Sequence, residues 1–157
     1  MRRKQPFLAV DCIINYQGKI LLIERKNYPY GWALVGGFVE YGETTEKAIR
    51  REVKEEVGLR LKNLKLFGVY SHPKRDPRGH CVSIVYTANG VGKIKVSSDA
   101  KNYGLFDINK LPKNLAFDHK KILRDYKKKI FTHLFKKTVL MKIIISLHFI
   151  FLTIPFY

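Results

Sequence analysis

The stretch "GGFVEYGETTEKAIRREVKEEVGL", residues 36–59, sets six glutamates beside two arginines and two lysines in 24 positions. Its second half reads as a helix over residues 45–57. Thr44 or Thr45 is placed to cap the start, Glu46 lies in the first turn where the helix dipole favours negative charge, and Gly58 ends it. At about 100° per residue, Ile49, Val53 and Val57 form an apolar stripe, and Glu52, Glu55 and Glu56 share the neighbouring arc. Glu46 and Arg50 have the order and spacing of a stabilising i,i+4 pair, whereas Glu52 and Glu56 are like charges at that spacing and repel. A divalent cation would remove the repulsion, and hard Mg²⁺ prefers oxygen ligands while still accepting phosphate oxygens. A salt-bridged surface face is the competing reading.

Outward from this helix, the chain reads as strands. "FLAVDCIIN" (7–15) and "KILLIER" (19–25) flank the turn signal Gln17-Gly18. "KNYPYGW" is a loop leading through "ALV" to the paired glycines. Strands are expected at 64–71, 81–91 and 103–108, with the polar, proline-rich "HPKRDPRGH" (72–80) as a loop before the second of them. A closing helix over 119–131 follows Asp118, a candidate cap. Strands, a central helix, more strands and a final helix define an α/β fold, a mixed central sheet sandwiched by helices.

The chain has 157 residues, 46% of them hydrophobic, enough for one sizeable core rather than two full domains. Cys12 and Cys81 lie far apart in apolar runs, with neither metal-ligand spacing nor a disulfide framework, and read as buried free thiols. The N-terminus lacks a secretory pattern, because Asp11 interrupts its apolar run. The formal charge of +17 is uneven: residues 119–157 hold nine Lys/Arg against Asp125 alone, about half the excess. A moderately basic domain remains, suited to polyanionic small molecules, and no zinc-finger, RNP-like or helix-turn-helix pattern marks a specific nucleic-acid reader.

The domain is expected over residues 1–135 and an apolar tail over 136–157. After Lys142 the tail is free of charge for only 15 residues, short of the roughly 20 that a spanning helix needs. Three readings stay open: a membrane anchor, which the preceding Lys136 and Lys137 would orient with the domain in the cytoplasm; a read-through artefact, since "MKIIISLHFIFLTIP" is like a signal-peptide start; or a segment packed on the domain or a partner. The expected location is therefore the cytoplasm, with membrane association through the tail as the variant.

The pattern Gly37, five residues, Glu43, seven residues, then Arg51-Glu52-Val53-Lys54-Glu55-Glu56-Val57-Gly58-Leu59 resembles the Nudix box at every fixed position. The resemblance implies an α/β/α fold and metal-dependent cleavage of a nucleoside diphosphate linked to another moiety. It makes Glu52, Glu55 and Glu56 ligands of Mg²⁺ (or Mn²⁺), the Gly37 carbonyl a further ligand, and Arg51 the residue that orients the carboxylates. Glu43 supports the loop-to-helix geometry and Gly58 closes the box. The general base stays open between the box glutamates and an acidic residue on a later loop.

"YSHPKRDPRGHCVSIVYTA" (70–88) and "LAFDHKKIL" (115–123) resemble ADP-ribose pyrophosphatase-like members, which points to ADP-ribose or a related nucleotide sugar as substrate and AMP as product. Lys74, Arg75 and Arg78 are charged to pair with phosphate, with His80 beside them, although an ordinary turn in which Asp76 pairs with the arginines is the plainer reading. Trp32, Tyr28, Tyr30 and Tyr41 suit base stacking or rim packing. Val35 stands where such relatives carry proline, and Asn102-Tyr103-Gly104-Leu105-Phe106 lacks the acidic residue often found there, with Asp99 nearby. An oxidised-nucleotide hydrolase and a non-catalytic nucleotide sensor are the rival functions. The resemblance also allows a homodimer.

Overall fold

The computed structural model describes residues 4–96 and 100–152, with side-chain burial given for most residues as far as Lys136. Asp99 and the side chains of the apolar tail lie outside the described residues. Strands β1 (Phe7–Tyr16), β2 (Lys19–Arg25), β3 (Gly31–Ala33) and β4 (Val35–Phe38) precede helix α1 (Thr45–Val57). Strands β5 (Arg60–Tyr70), β6 (Cys81–Val91) and β7 (Ala100–Phe106) then lead to α2 (His119–Leu152). The sheet is mixed and the class is α/β, as expected.

The strand order is β3-β2-β1-β6-β5, with β4 also paired to β1 and β7 to β2. β1 runs parallel to β6 along Phe7–Asn15. Its other edge is divided between two antiparallel partners, β4 at Ala9–Cys12 and β2 at Ile14–Tyr16. Gln17 and Gly18 both have positive φ, 52° and 78°, the geometry of a two-residue hairpin turn that matches strand twist.

The paired glycines, read from sequence as the end of a loop, are strand residues: Gly36 faces Asp11 and Gly37 faces Val10 in the β1–β4 ladder. Between β3 and β4 the chain passes from β2 to β1, and Leu34 stands at the crossover. β5 begins four residues earlier than its apolar pattern suggests. Asn63 at φ 54° and register shifts between Lys62 and Lys65 break the alternation that would have marked those residues as strand.

Helix α1 keeps its expected ends. Thr44 accepts a hydrogen bond from the Lys47 amide, and Gly58, at φ 68°, donates its N–H to the Lys54 carbonyl. Ala48, Ile49, Val53 and Val57 are buried and join Val10, Cys12, Ile14, Leu21, Val35 and Leu59 in one core. Alternation along β1 therefore places Asp11 on the opposite face from Val10 and Cys12. Arg50 departs from its expected pairing with Glu46: its guanidinium donates to the Leu61 carbonyl at 2.8 Å, fastening α1 to β5. Both cysteines are buried free thiols.

Residue contacts divide the chain into two compact units, Met1–Lys120 and Lys121–Tyr157. The described residues of the second unit continue α2 as far as Leu152, and in them Lys121 and Asp125 form an i,i+4 ion pair at 2.7 Å. Among the described residues no helix is long and apolar enough to cross a membrane.

Candidate active site

Arg51 organises the acidic face of α1. Its guanidinium donates to Glu43 through Nε and Nη2, both at 3.0 Å, to Glu52 at 2.8 Å, to Glu55 at 3.3 Å and to the Phe38 carbonyl at 3.1 Å. Hydrogen bonds to Glu43 come first among the interactions that raise the Arg51 pKa above its ordinary range. The same contact, foremost, holds the Glu43 carboxyl below the usual carboxylate range.

Glu56 points elsewhere. It accepts the Gly36 N–H at 3.2 Å, and burial first, opposed by that hydrogen bond, pushes its pKa up to about 8, with Glu52 and Asp11 adding repulsion. Burial also raises Glu52 despite Arg51, while the Glu55 side chain is 60% exposed. Gly37 leaves room for this arrangement, because a Cβ there would fall inside van der Waals contact of the Glu52 carboxylate.

Partly buried carboxylates, crowded and short of positive charge, form a donor set suited to a hard divalent cation. In this arrangement Arg51 draws Glu52 and Glu55 to itself and Glu56 turns toward β4. Accordingly, among the described residues no three acidic, His or Cys side chains stand together at metal-holding distance.

A pocket opens beside this face and shares its wall, since Gly36 and Gly37 line it together with Asp11, Arg25, Phe38 and Phe117. Arg25 and Arg78 both stand over the Phe117 ring, at 4.8 and 5.3 Å from its centroid, and Arg78 is also 5.9 Å from the Phe38 ring. Burial, and then the nearby Arg78 charge, lower the Arg25 guanidinium below its ordinary range. Two like charges held close in a partly dry pocket attract an anion.

The "KRDPRGH" loop enters this pocket in a more divided way than its sequence suggests. Arg78 is held by both carboxylate oxygens of Asp76, yet its side chain remains 41% exposed. Arg75, expected to meet phosphate, forms part of the pocket wall, but its guanidinium is buried against Asp118 at 2.9 Å and Asp11 at 3.3 Å. His80 is exposed, its Nε2 lies 3.3 Å from the Ser71 carbonyl, and it is not among the residues that line the pocket. The Asp118 carboxylate, read as a helix cap, is engaged by Arg75. Trp32 packs edge-on against Phe106, while Tyr28, Tyr30 and Tyr41 are exposed.

Asp11, Arg25, Phe117 and His119 were not singled out from the sequence. Two signals were present: Asp11 is a charge inside the apolar run "FLAVDCIIN", and His119 adjoins an acidic residue at a helix start. A buried charge in a strand demands a partner, but the partners lie 64 and 108 residues away.

The description "NUDIX domain" belongs to the family model that matches residues 5–126, and the chain is a member of that family. Among its relatives is the ADP-ribose pyrophosphatase of Methanocaldococcus jannaschii, 56% identical over 124 residues, 77% of this chain and 73% of that protein. An ADPR responsive transcriptional repressor of Acinetobacter baylyi is 35% identical over 132 residues, and the match spans 52% of its length. The crystal structure of a MutT NUDIX hydrolase from Burkholderia pseudomallei superposes with a TM-score of 0.72 at 32% identity, covering 78% of this chain and 98% of that one.

Proposed function

We propose that the chain is a divalent-cation-dependent pyrophosphohydrolase that cleaves the diphosphate of ADP-ribose, or a related nucleoside diphosphate derivative, to AMP and a phosphorylated sugar. The observation that carries this reading is the shared wall: the box glutamates abut, through Gly36 and Gly37, a pocket whose lining includes Arg25 and Arg78, both set against the Phe117 ring. The relative from Methanocaldococcus jannaschii supports the substrate class.

Glu52, Glu55 and Glu56 are the residues that would hold Mg²⁺ or Mn²⁺, with the Gly37 carbonyl as a further ligand. When bound, the cation supplies Lewis-acid neutralisation of the diphosphate charge, which otherwise repels a nucleophile. Arg51 fixes the directions of Glu43 and Glu52 from one point, so that carboxylate placement does not depend on long, free side chains. Arg25 and Arg78 provide positive partners for phosphate oxygens, and the apolar Phe117 ring that both contact limits water around them and strengthens that attraction. Phe38 closes the neighbouring wall.

The test is to incubate the purified full chain with Mg²⁺ and a panel of ADP-ribose, other nucleotide sugars and oxidised nucleoside triphosphates. AMP release from ADP-ribose, lost on chelation and restored by added cation, is the expected result; cleavage of no panel member would overturn the enzyme reading. Preference for the triphosphates would favour the sanitising function. Tight ADP-ribose binding without turnover would favour a sensor, as the name of the Acinetobacter baylyi relative suggests.

A further inference from the structure

Part of the pocket wall belongs to a buried polar cluster that the proposed chemistry leaves unused. Asp11 is almost fully buried, and both of its oxygens are engaged: Oδ2 accepts from the Ser83 hydroxyl and from Arg75, and Oδ1 lies 3.5 Å from His119 Nε2. His119 Nδ1 accepts the Leu34 N–H at 3.0 Å, so the ring proton sits on Nε2 and is directed at Asp11. The Leu34 amide is available because the chain is changing strand partners there. Arg75 completes the cluster by joining Asp11 to Asp118. Burial opposes the charged form of Asp11, yet His119, Arg75 and Ser83 together hold it below the usual carboxylate range.

The cluster connects β1, β6, the β3–β4 crossover, the start of α2 and the loop after β5. That loop lies between β5 and β6 and belongs to no strand or helix. Its turns rest on Arg75 N–H to His72 O at 2.9 Å, Lys74 N–H to His72 Nδ1 at 3.1 Å, Arg78 N–H to Asp76 Oδ1 at 2.9 Å and Gly79 N–H to Asp76 O at 3.3 Å. Arg75 is its buried tether, whereas Arg78, three residues on, reaches the pocket with its charge partly exposed. A phosphate drawing Arg75 away would deprive the buried Asp11 of its cation, whereas the Arg78 side chain, although paired with Asp76, is partly exposed and open to an incoming anion.

We propose that Arg75 is a positioning residue: clamped between Asp11 and Asp118, it holds the 72–80 loop so that Arg78 meets the phosphate oxygens of the substrate. The substrate part rests on the function proposed above; the tethering of the loop does not. Lysine at position 75 keeps the charge but loses the planar guanidinium, whose Nη2 lies between Asp11 and Asp118 while its Nε also donates to Asp118.

The test combines kinetics with hydrogen exchange on the full chain. With ADP-ribose as substrate, Arg75→Lys is expected to raise KM about 10-fold and change kcat less than about 3-fold, like Arg78→Ala, and the double variant to be no worse than Arg78→Ala alone. Amides of residues 72–80 are expected to exchange about 10-fold faster in Arg75→Lys, with those of α1 unchanged. Asp118→Asn, which weakens one arm of the clamp, is expected to shift both readouts in the same direction by less, and serves if Arg75→Lys does not fold. Additive KM effects would make Arg75 an independent phosphate contact, and unchanged loop exchange would remove its tethering role. If the wild-type chain turns over no ADP-ribose, the exchange measurement alone decides the tether, and the loss falls on the substrate reading.

Discussion

Glu56→Gln is expected to lower kcat about 10²–10³-fold, the scale seen when one preorganised electrostatic group is removed from a reacting centre, while leaving the chain folded and less sensitive to pH. Burial pushes the folded-state pKa of Glu56 up to about 8, against about 4.3 in an unfolded chain. Between those values the cation-free folded chain binds more protons than the unfolded one, so stability falls as pH rises through the window. Above it the full penalty applies, a few kcal/mol in size. Glutamine preserves the side-chain oxygen that accepts the Gly36 N–H but cannot ionise, so the variant should melt higher than the metal-free wild type at pH 8 and equally at pH 4. Mg²⁺ should stabilise the wild type above pH 8 and the variant much less. Thermal melts across pH, with and without Mg²⁺, and steady-state rates check all of this. Unaltered turnover in both Glu56→Gln and Glu55→Gln would remove these carboxylates from the reaction.

A second contrast comes from two adjacent glycines that differ in what surrounds them. A Cβ on Gly36 would collide with the Val10 carbonyl oxygen and approach the Asp11 Cα at 2.8 Å, both in the backbone of the paired strand. Nothing there can yield without opening the β1–β4 ladder, so Gly36→Ala is expected to cost about 3 kcal/mol or more. At Gly37 the three nearest atoms belong to the Glu52 carboxylate. That side chain can swing aside, so Gly37→Ala should cost no more than about 1–2 kcal/mol but reduce kcat about 10²-fold by misplacing Glu52. Thermal melting and rates measured on both variants separate the effects. A fully stable Gly36→Ala would mean that the strands are less closely apposed than described.

Local pattern carried much of this architecture. The α1 stripe of Ile49, Val53 and Val57, its Thr44 cap and its Gly58 terminus depend only on neighbours within a few turns, and β6 fills its expected range because β-branched and aromatic residues recur along it with neither proline nor charge. The candidate carboxylates were legible for the same reason, since their spacing along one helix is itself the signal. What escaped is non-local. Arg25 and Phe117 meet only because β2 and the segment before α2 are brought together in the fold. Arg75 and Arg78 have the same charge in the same loop, and nothing local tells that one is buried between two aspartates while the other faces the pocket. Glu46 and Arg50 satisfied a helical rule, but the Leu61 carbonyl offered Arg50 a partner outside the helix.

The divided edge of β1 has a consequence for how such a protein diversifies. Because β4 leaves β1 where β2 takes over, the acidic helix hangs from one branch of the split, while Arg25 belongs to the other. Changes at the tip of β2 or in the segment entering α2 can therefore reshape what is admitted without disturbing the carboxylates of α1. One scaffold can thus be retuned for new cargo by altering a single arm.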